Sequence, residues 1–335
     1  MVRTGVTVRR VSLAMGLAMG IALLVLAVRS VDALALRRYL GSADLSLMGL
    51  GLLMVVATIA AKALRWRLLF YPSHEELRLS SLVSALLIGQ TINLLLPARL
   101  GELARAYVVG ESEAPPAMLA LGTIVVEKTL DGLALLLVLG ILFVAMPFPP
   151  WLRISGTAAA LVTAVLLGSV LLFTSGRRRM VGCWEKLCQI VPALEGLGLR
   201  RRLESLADGL RSLQRRGVRG RLLVWTAWIW LLGGATNYLI LRSLQIETSL
   251  VLASLFVLAV VHLGLVVPTS PARIGVFHFL CLLALSFVGV EESRALAFGF
   301  VLHFIVVGPV ILGGLLCLWK ENLTLYRLAR EVDGS

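Results

Sequence analysis

The chain has 335 residues, 59% of them hydrophobic, and a mean hydropathy of +0.92. That composition excludes an ordinary soluble domain and calls for an all-α polytopic membrane protein. The net charge of +13 is no argument for nucleic acid, because Lys and Arg collect in cytoplasmic loops beside the anionic leaflet.

In chain order, Arg3, Arg9 and Arg10 precede an apolar stretch at 11–28. The stretch is long for a signal sequence, and Arg29 and Asp32 separate it from the small-residue run at 33–35, so a retained first span is expected. A second span follows at 45–64. The segment 81–96 is about 24 Å long as a helix at 1.5 Å per residue, against a hydrocarbon core of about 30 Å. It also carries Gln90, Thr91 and Asn93, and it suits a half-span better than a full one. Further spans are expected at 117–146, 154–174, 222–240 and 295–319, with two shorter apolar runs at 250–267 and 276–290.

Charge sets the topology. Segment 176–221 holds twelve Lys/Arg against four acids, so the positive-inside rule places it in the cytoplasm with the basic N-terminus. Were 81–96 a full crossing, five spans would separate the two basic regions and put them on opposite sides. A hairpin over 81–109 that enters from the cytoplasm and turns at Pro97 leaves four spans, and both regions fall inside. A matching hairpin over 250–290 would enter from the opposite side, and Lys320, Arg327 and Arg330 would end in the cytoplasm. Both turns carry Pro-Ala-Arg, an aliphatic residue and Gly, at 97–101 and 271–275. The expected architecture is therefore a single integral domain of about six spans plus two opposed re-entrant hairpins, an inverted repeat. Its first half is 1–175, its basic linker 176–221 and its second half 222–335, with both termini on the cytoplasmic side of the plasma membrane. Within the linker, Leu199, Leu203, Leu206, Leu210 and Leu213 form one face of an amphipathic helix.

Charges at membrane depth are functional candidates. One group is Asn93, Arg99, Glu102 and Arg105; a second is Glu127, Lys128 and Asp131; a third is Ser270, Arg273 and His278, with Thr269; His262 and His303 form a weaker fourth. Pro97 and Pro271 are placed to start second half-helices, with Ser270 or Thr269 as a cap, and Gly101 and Gly275 permit close approach. Half-helix N-termini reinforced by arginine suit an anion, phosphate above all. The competing structural reading pairs Arg99 with Glu102, or Glu127 and Asp131 with a buried arginine. Arg273 has no acid near it in sequence. Neither the four cysteines nor the histidines form a zinc pattern, and no cofactor motif is present.

The stretches "NLLLPARLGELARA", "VVEKTLDGLAL" and "VPTSPARIGVFHFLCLLAL" together resemble the family of flippase-like proteins that includes the transmembrane region of lysylphosphatidylglycerol synthases. By that resemblance Asn93, Pro97, Arg99, Gly101, Glu102 and Arg105 match the first motif; Glu127, Lys128 (usually Arg) and Asp131 the second; and Pro271, Ile274, Gly275, Val276 and Phe277 the third. The family usually has Pro-Gly-Gly where this chain has Pro271-Ala272-Arg273, and an acid where His278 stands. In the synthases lysyl transfer resides in a soluble domain. Only sixteen residues follow Trp319, so a non-enzyme is expected.

The leading expectation is a flippase or transporter that binds an anionic lipid or lipid-linked phosphate head group. One alternative is a membrane-embedded lipid-modifying transferase, against which no DxD, HExxH or nucleophile-elbow motif is found. The other is a non-catalytic partner of an envelope-lipid biosynthesis enzyme.

Overall fold

The computed structural model describes residues 18, 20–29, 32–70, 76–95, 100–113, 115–146, 150–174, 216–265 and 270–321. Among these the secondary structure is entirely helical. A short helix α1 (Gly20–Arg29) precedes α2 (Ala33–Gly41), α3 (Leu45–Leu69), α4 (Leu79–Leu95), α5 (Gly101–Glu113), α6 (Ala117–Ala145) and α7 (Pro150–Thr174). After the linker come α8 (Arg216–Ser243), α9 (Leu250–Gly264), a 3₁₀ turn (Pro271–Arg273), α10 (Val276–Phe287) and α11 (Glu292–Lys320).

The starts of these helices follow from their first residues. Asp44 caps α3, its carboxylate accepting from the backbone N–H of Ser46 at 2.8 Å and Leu47 at 3.2 Å. Asp32 does the same for α2 through Leu34 N–H. Pro150 opens α7, where its missing N–H costs nothing.

Five described helices are long and apolar enough to cross a bilayer: α3, α6, α7, α8 and α11. They bear the marks of lipid contact, with Val144 87% exposed and Phe304 74% exposed on otherwise apolar faces. The first expected span lies partly outside the described residues, which begin within it. Several ends differ from the sequence expectation. Helix α3 runs on past residue 64 to Leu69, and α8 begins at Arg216, inside the basic segment. Arg65 and Arg67 did not end α3, because Arg65 finds acids on another helix. The amphipathic stretch of leucines and the cysteines Cys183 and Cys188 lie outside the described residues.

Helices α4 and α5 pack on each other as a hairpin, and so do α9 and α10. The arms have 17 and 13 residues in the first hairpin and 15 and 12 in the second. Flanking helices of 25 and 29 residues bracket the first, and helices of 28 and 29 residues the second. The same order of lengths thus occurs twice. Helix α11 packs against α4 and α10, and α3 packs along α8. The 3₁₀ turn of the second hairpin meets α4 of the first. Thr91 on α4 donates to the Val310 carbonyl at 2.9 Å, just past Pro309 in α11, and Gly314 leaves room for it. Two main apolar clusters fill the interior, one around the first hairpin and one around the second.

Candidate functional site

The first hairpin is drawn shut by small residues and one amide. Gly89 on α4 faces Gly101 on α5 so closely that a Cβ on Gly101 would overlap the Gly89 carbonyl oxygen and the Asn93 carboxamide. Asn93 Oδ1 accepts the Gly101 N–H at 2.8 Å, and Asn93 Nδ2 donates to Glu102 at 3.0 Å. Glu102 in turn meets Lys128 of α6 at 3.1 Å. Lys128 thus pairs across helices with an acid of the hairpin. Pro97 and Arg99 lie outside the described residues.

Deeper in the bundle, Arg105 donates to both oxygens of Glu127, at 2.7 and 3.1 Å. Its guanidinium carbon lies 3.6 Å from the centroid of the Trp66 ring. Arg65 of α3, 0% exposed, donates to both oxygens of Asp131 at 2.6 and 3.2 Å, and to the Thr226 hydroxyl of α8 at 3.1 Å. It also lies 3.7 Å from Glu127. Trp66 donates its indole N–H to Thr123 at 2.9 Å, fixing the ring under Arg105. Five helices, α3, α4, α5, α6 and α8, therefore converge on one ionic network. Its two bidentate arginine forks have the geometry that makes such pairs strong. The Nε atoms of Arg65 and Arg105 are buried with no hydrogen-bond partner.

Arg65 was not among the sequence candidates. A signal existed: Lys62, Arg65 and Trp66 recur at helical spacing, three and four residues apart, in the last turns of an apolar span. Basic residues at a span end are ordinarily read as reaching for the interface.

The second hairpin is held differently. Pro271 starts only the three-residue 3₁₀ turn, and α10 starts at Val276 after Gly275. Ser270 makes no cap; its buried hydroxyl donates to the Ile274 carbonyl at 2.5 Å. The expected half-helix opening at Pro271 is corrected by the backbone: Ala272 and Arg273 adopt φ of 52° and 62°, left-handed values that no helical turn continues. Gly275 has φ of 87°, and a Cβ on it would overlap the Gly20 carbonyl of α1. His278 is buried and accepts the Gly275 N–H on Nδ1 at 3.3 Å, so it anchors the start of α10. Its ring lies 4.8 Å from that of His303, whose Nε2 donates to the Ala272 carbonyl at 2.8 Å. Left-handed backbone at 272 and 273 explains why glycines would suit both positions.

The sequence-predicted residues thus fall into two places. Asn93, Gly101, Glu102, Arg105, Glu127, Lys128 and Asp131 form one connected network, whereas Ser270, Pro271, Arg273, Gly275 and His278 build the second turn. His262 of α9 lies between them. Lys62, Asp131 and Arg273, on three other elements, are all within Coulombic range of its ring. Among the described residues, no group of three or more His, Cys, Asp or Glu could hold a metal ion.

The sequence profile of the family described as Lysylphosphatidylglycerol synthase TM region matches residues 13–314. The chain is also similar to Glycosyltransferase AglD of Haloferax volcanii, with 25% identity over 358 residues, covering 96% of this chain and 56% of that protein. The chain therefore spans little more than half the length of this curated relative. No solved structure matches. The expectation of a non-enzyme is overturned here, because a named relative that aligns with nearly the whole chain is a glycosyltransferase.

Proposed function

The chain belongs to the lysylphosphatidylglycerol synthase TM region family, and on that premise we propose that it binds the phosphate-bearing head group of an anionic lipid or lipid-linked phosphate and moves it between leaflets. The observation that carries this reading is the ionic network of Arg65, Arg105, Glu127, Asp131, Glu102 and Lys128, beside two helical hairpins of which the turn of the second meets α4 of the first. A bilayer protein that keeps so many charges at depth uses them, because each is costly to place there. The repeated order of helix lengths supports opposed re-entrant hairpins, one entering from each face. Both termini then lie in the cytoplasm, and the head group crosses between the two tips while its acyl chains stay in lipid.

The test is a leaflet-translocation assay in proteoliposomes with a fluorescent anionic lipid, comparing wild type with Arg273→Ala and Arg99→Ala. Slower translocation in both variants is expected; equal rates in all three would end the assignment.

A second reading is favoured by the similarity to a glycosyltransferase. In it a lipid-linked phosphate is held beside the same ionic network while a sugar is transferred to or from it, with Glu127 or Asp131 as candidate base. Purified protein incubated with a nucleotide-activated sugar and a polyisoprenyl phosphate would form glycosylated lipid if this reading holds.

A further inference from the structure

The ionic network leaves one cation over. Glu127 is shared by Arg105 and Arg65, Asp131 is held by Arg65, and Glu102 is held by Lys128. Lys62 sits one helical turn before Arg65 on α3 and feels Asp131 and Glu127 electrostatically. Among the described residues, however, it makes no salt bridge. Both acids are already engaged by arginine forks. An ammonium in this position is tolerable only where water or an anion reaches it.

The neighbouring histidine has an uncovered face. His262 is exposed although it stands on α9, which packs against α6, α8 and α10. Its charged neighbours Lys62, Asp131 and Arg273 lie on three other elements, so it stands between helices of the bundle. Its Nδ1 donates to the Leu258 carbonyl at 2.8 Å, and the Trp230 ring lies 4.9 Å away. These two contacts fix the ring, and Nε2 has no hydrogen-bond partner among the described residues. With the proton on Nδ1, Nε2 is an acceptor. Lys62 is half-buried, and both it and Asp131 are within Coulombic range of the His262 ring.

We propose that Lys62 and His262 touch the ligand where it rests within the bundle. Lys62 meets a phosphate oxygen, and His262 Nε2 accepts a hydroxyl of the group esterified to it. The arginine–carboxylate network behind them is scaffold. This rests on the head-group reading above and narrows it: the ligand is a phosphate ester with a hydroxyl-bearing substituent, carried on a lipid. Phosphatidylglycerol has that chemistry, and so does a glycosylated lipid phosphate.

The test uses the full chain in nanodiscs of phosphatidylcholine doped with phosphatidylglycerol, with bound lipid counted by native mass spectrometry. Wild type is expected to retain phosphatidylglycerol, Lys62→Met to retain at least about ten-fold less, and Lys62→Arg to restore it; a ten-fold change corresponds to about 1.4 kcal/mol. His262→Phe should lose several-fold. Undiminished retention by Lys62→Met would overturn the inference while leaving the head-group reading standing. Absence of retention by wild type would overturn both.

A second arm does not depend on the Met variant folding. In a chain with its four cysteines replaced by alanine, Lys62→Cys is treated with a cationic, membrane-impermeant thiol reagent. Labelling puts a cation back at position 62 and is expected to restore the phosphatidylglycerol retention that the unlabelled variant lacks, also in excess inorganic phosphate. No labelling would mean a dry site, labelling without restored retention would mean that the cation does not hold the lipid, and loss of retention to inorganic phosphate would mean a soluble anion; each of these outcomes overturns the proposal.

Discussion

The Arg105–Glu127 pair is the sharpest place to test whether the network is scaffold. Glu127 is 5% exposed and takes two hydrogen bonds from Arg105, with Arg65 standing off at 3.7 Å. In Arg105→Met the carboxylate keeps only that longer contact, and Trp66 loses its cation. Breaking one partner of a buried pair costs about 3–5 kcal/mol. The remaining arginine places the expected loss near the lower end, about 3 kcal/mol. In Glu127→Gln the Arg105 guanidinium has no carboxylate left, whereas Arg65 retains Asp131 and Thr226, and a loss of similar size is expected. In the double variant Arg105→Met/Glu127→Gln both charges leave together, and Arg65 with Asp131 is undisturbed.

The double variant should therefore lie close to one single variant and well short of their sum. A coupling of about 3 kcal/mol is the upper end for residues in direct contact. The measurement is reversible unfolding in mixed micelles titrated with dodecyl sulfate, with all four proteins in parallel. Losses that add to within about 0.5 kcal/mol would refute the pairing as an energetic unit. Retained lipid binding by the double variant would match a scaffold role, since Lys62 and His262 are left in place.

Ala272→Gly should stabilise the protein by about 1 kcal/mol, because a non-glycine residue in the left-handed region costs about 1–2 kcal/mol; an unchanged unfolding midpoint would count against the strained turn. Gly101→Ala should sharply reduce folded yield in membranes, since its Cβ has no room between the Gly89 carbonyl and Asn93; normal yield and stability would mean the hairpin closes differently. At the base of that hairpin, burial alone would raise the Glu113 carboxyl, but hydrogen bonds from Ser81 and Arg78 hold it below its ordinary value. A lowered value in the folded protein means this contribution is present above the ordinary carboxylate range and is lost as pH falls through the folded value. Protection from hydrogen exchange at the base of α4 and α5, after correction for the intrinsic pH dependence of exchange, should therefore fall on acidification, and Glu113→Gln should remove that dependence.

Much of this arrangement was legible in the sequence, and the illegible part has a physical cause. Hydropathy and length located the five described crossing helices and separated them from the short arms. Charge parity pointed to a hairpin where α4 and α5 now pack on each other. Motif resemblance brought together Asn93, Glu102, Arg105, Glu127, Lys128 and Asp131, which do form one network. Sequence reading stopped short at Arg65, because an arginine near the end of an apolar span looks the same whether it reaches for the interface or for an acid on α6. The turn at Pro271 was read as a helix start because proline favours that place, but the left-handed backbone at Ala272 and Arg273 depends on tertiary packing against Gly20 and His303.

The two halves repeat in length but not in chemistry. The first hairpin is tied down by ions, through Glu102 to Lys128 and through Arg105 to Glu127. The second is tied down by neutral groups, through Ser270, His278 and His303. A neutral anchor adds no acid to the network, so the carboxylates there come from α5 and α6 alone, and cations already hold all three. With all three carboxylates engaged, Lys62 has no acid of its own, and on the proposal above an anionic guest supplies the missing charge.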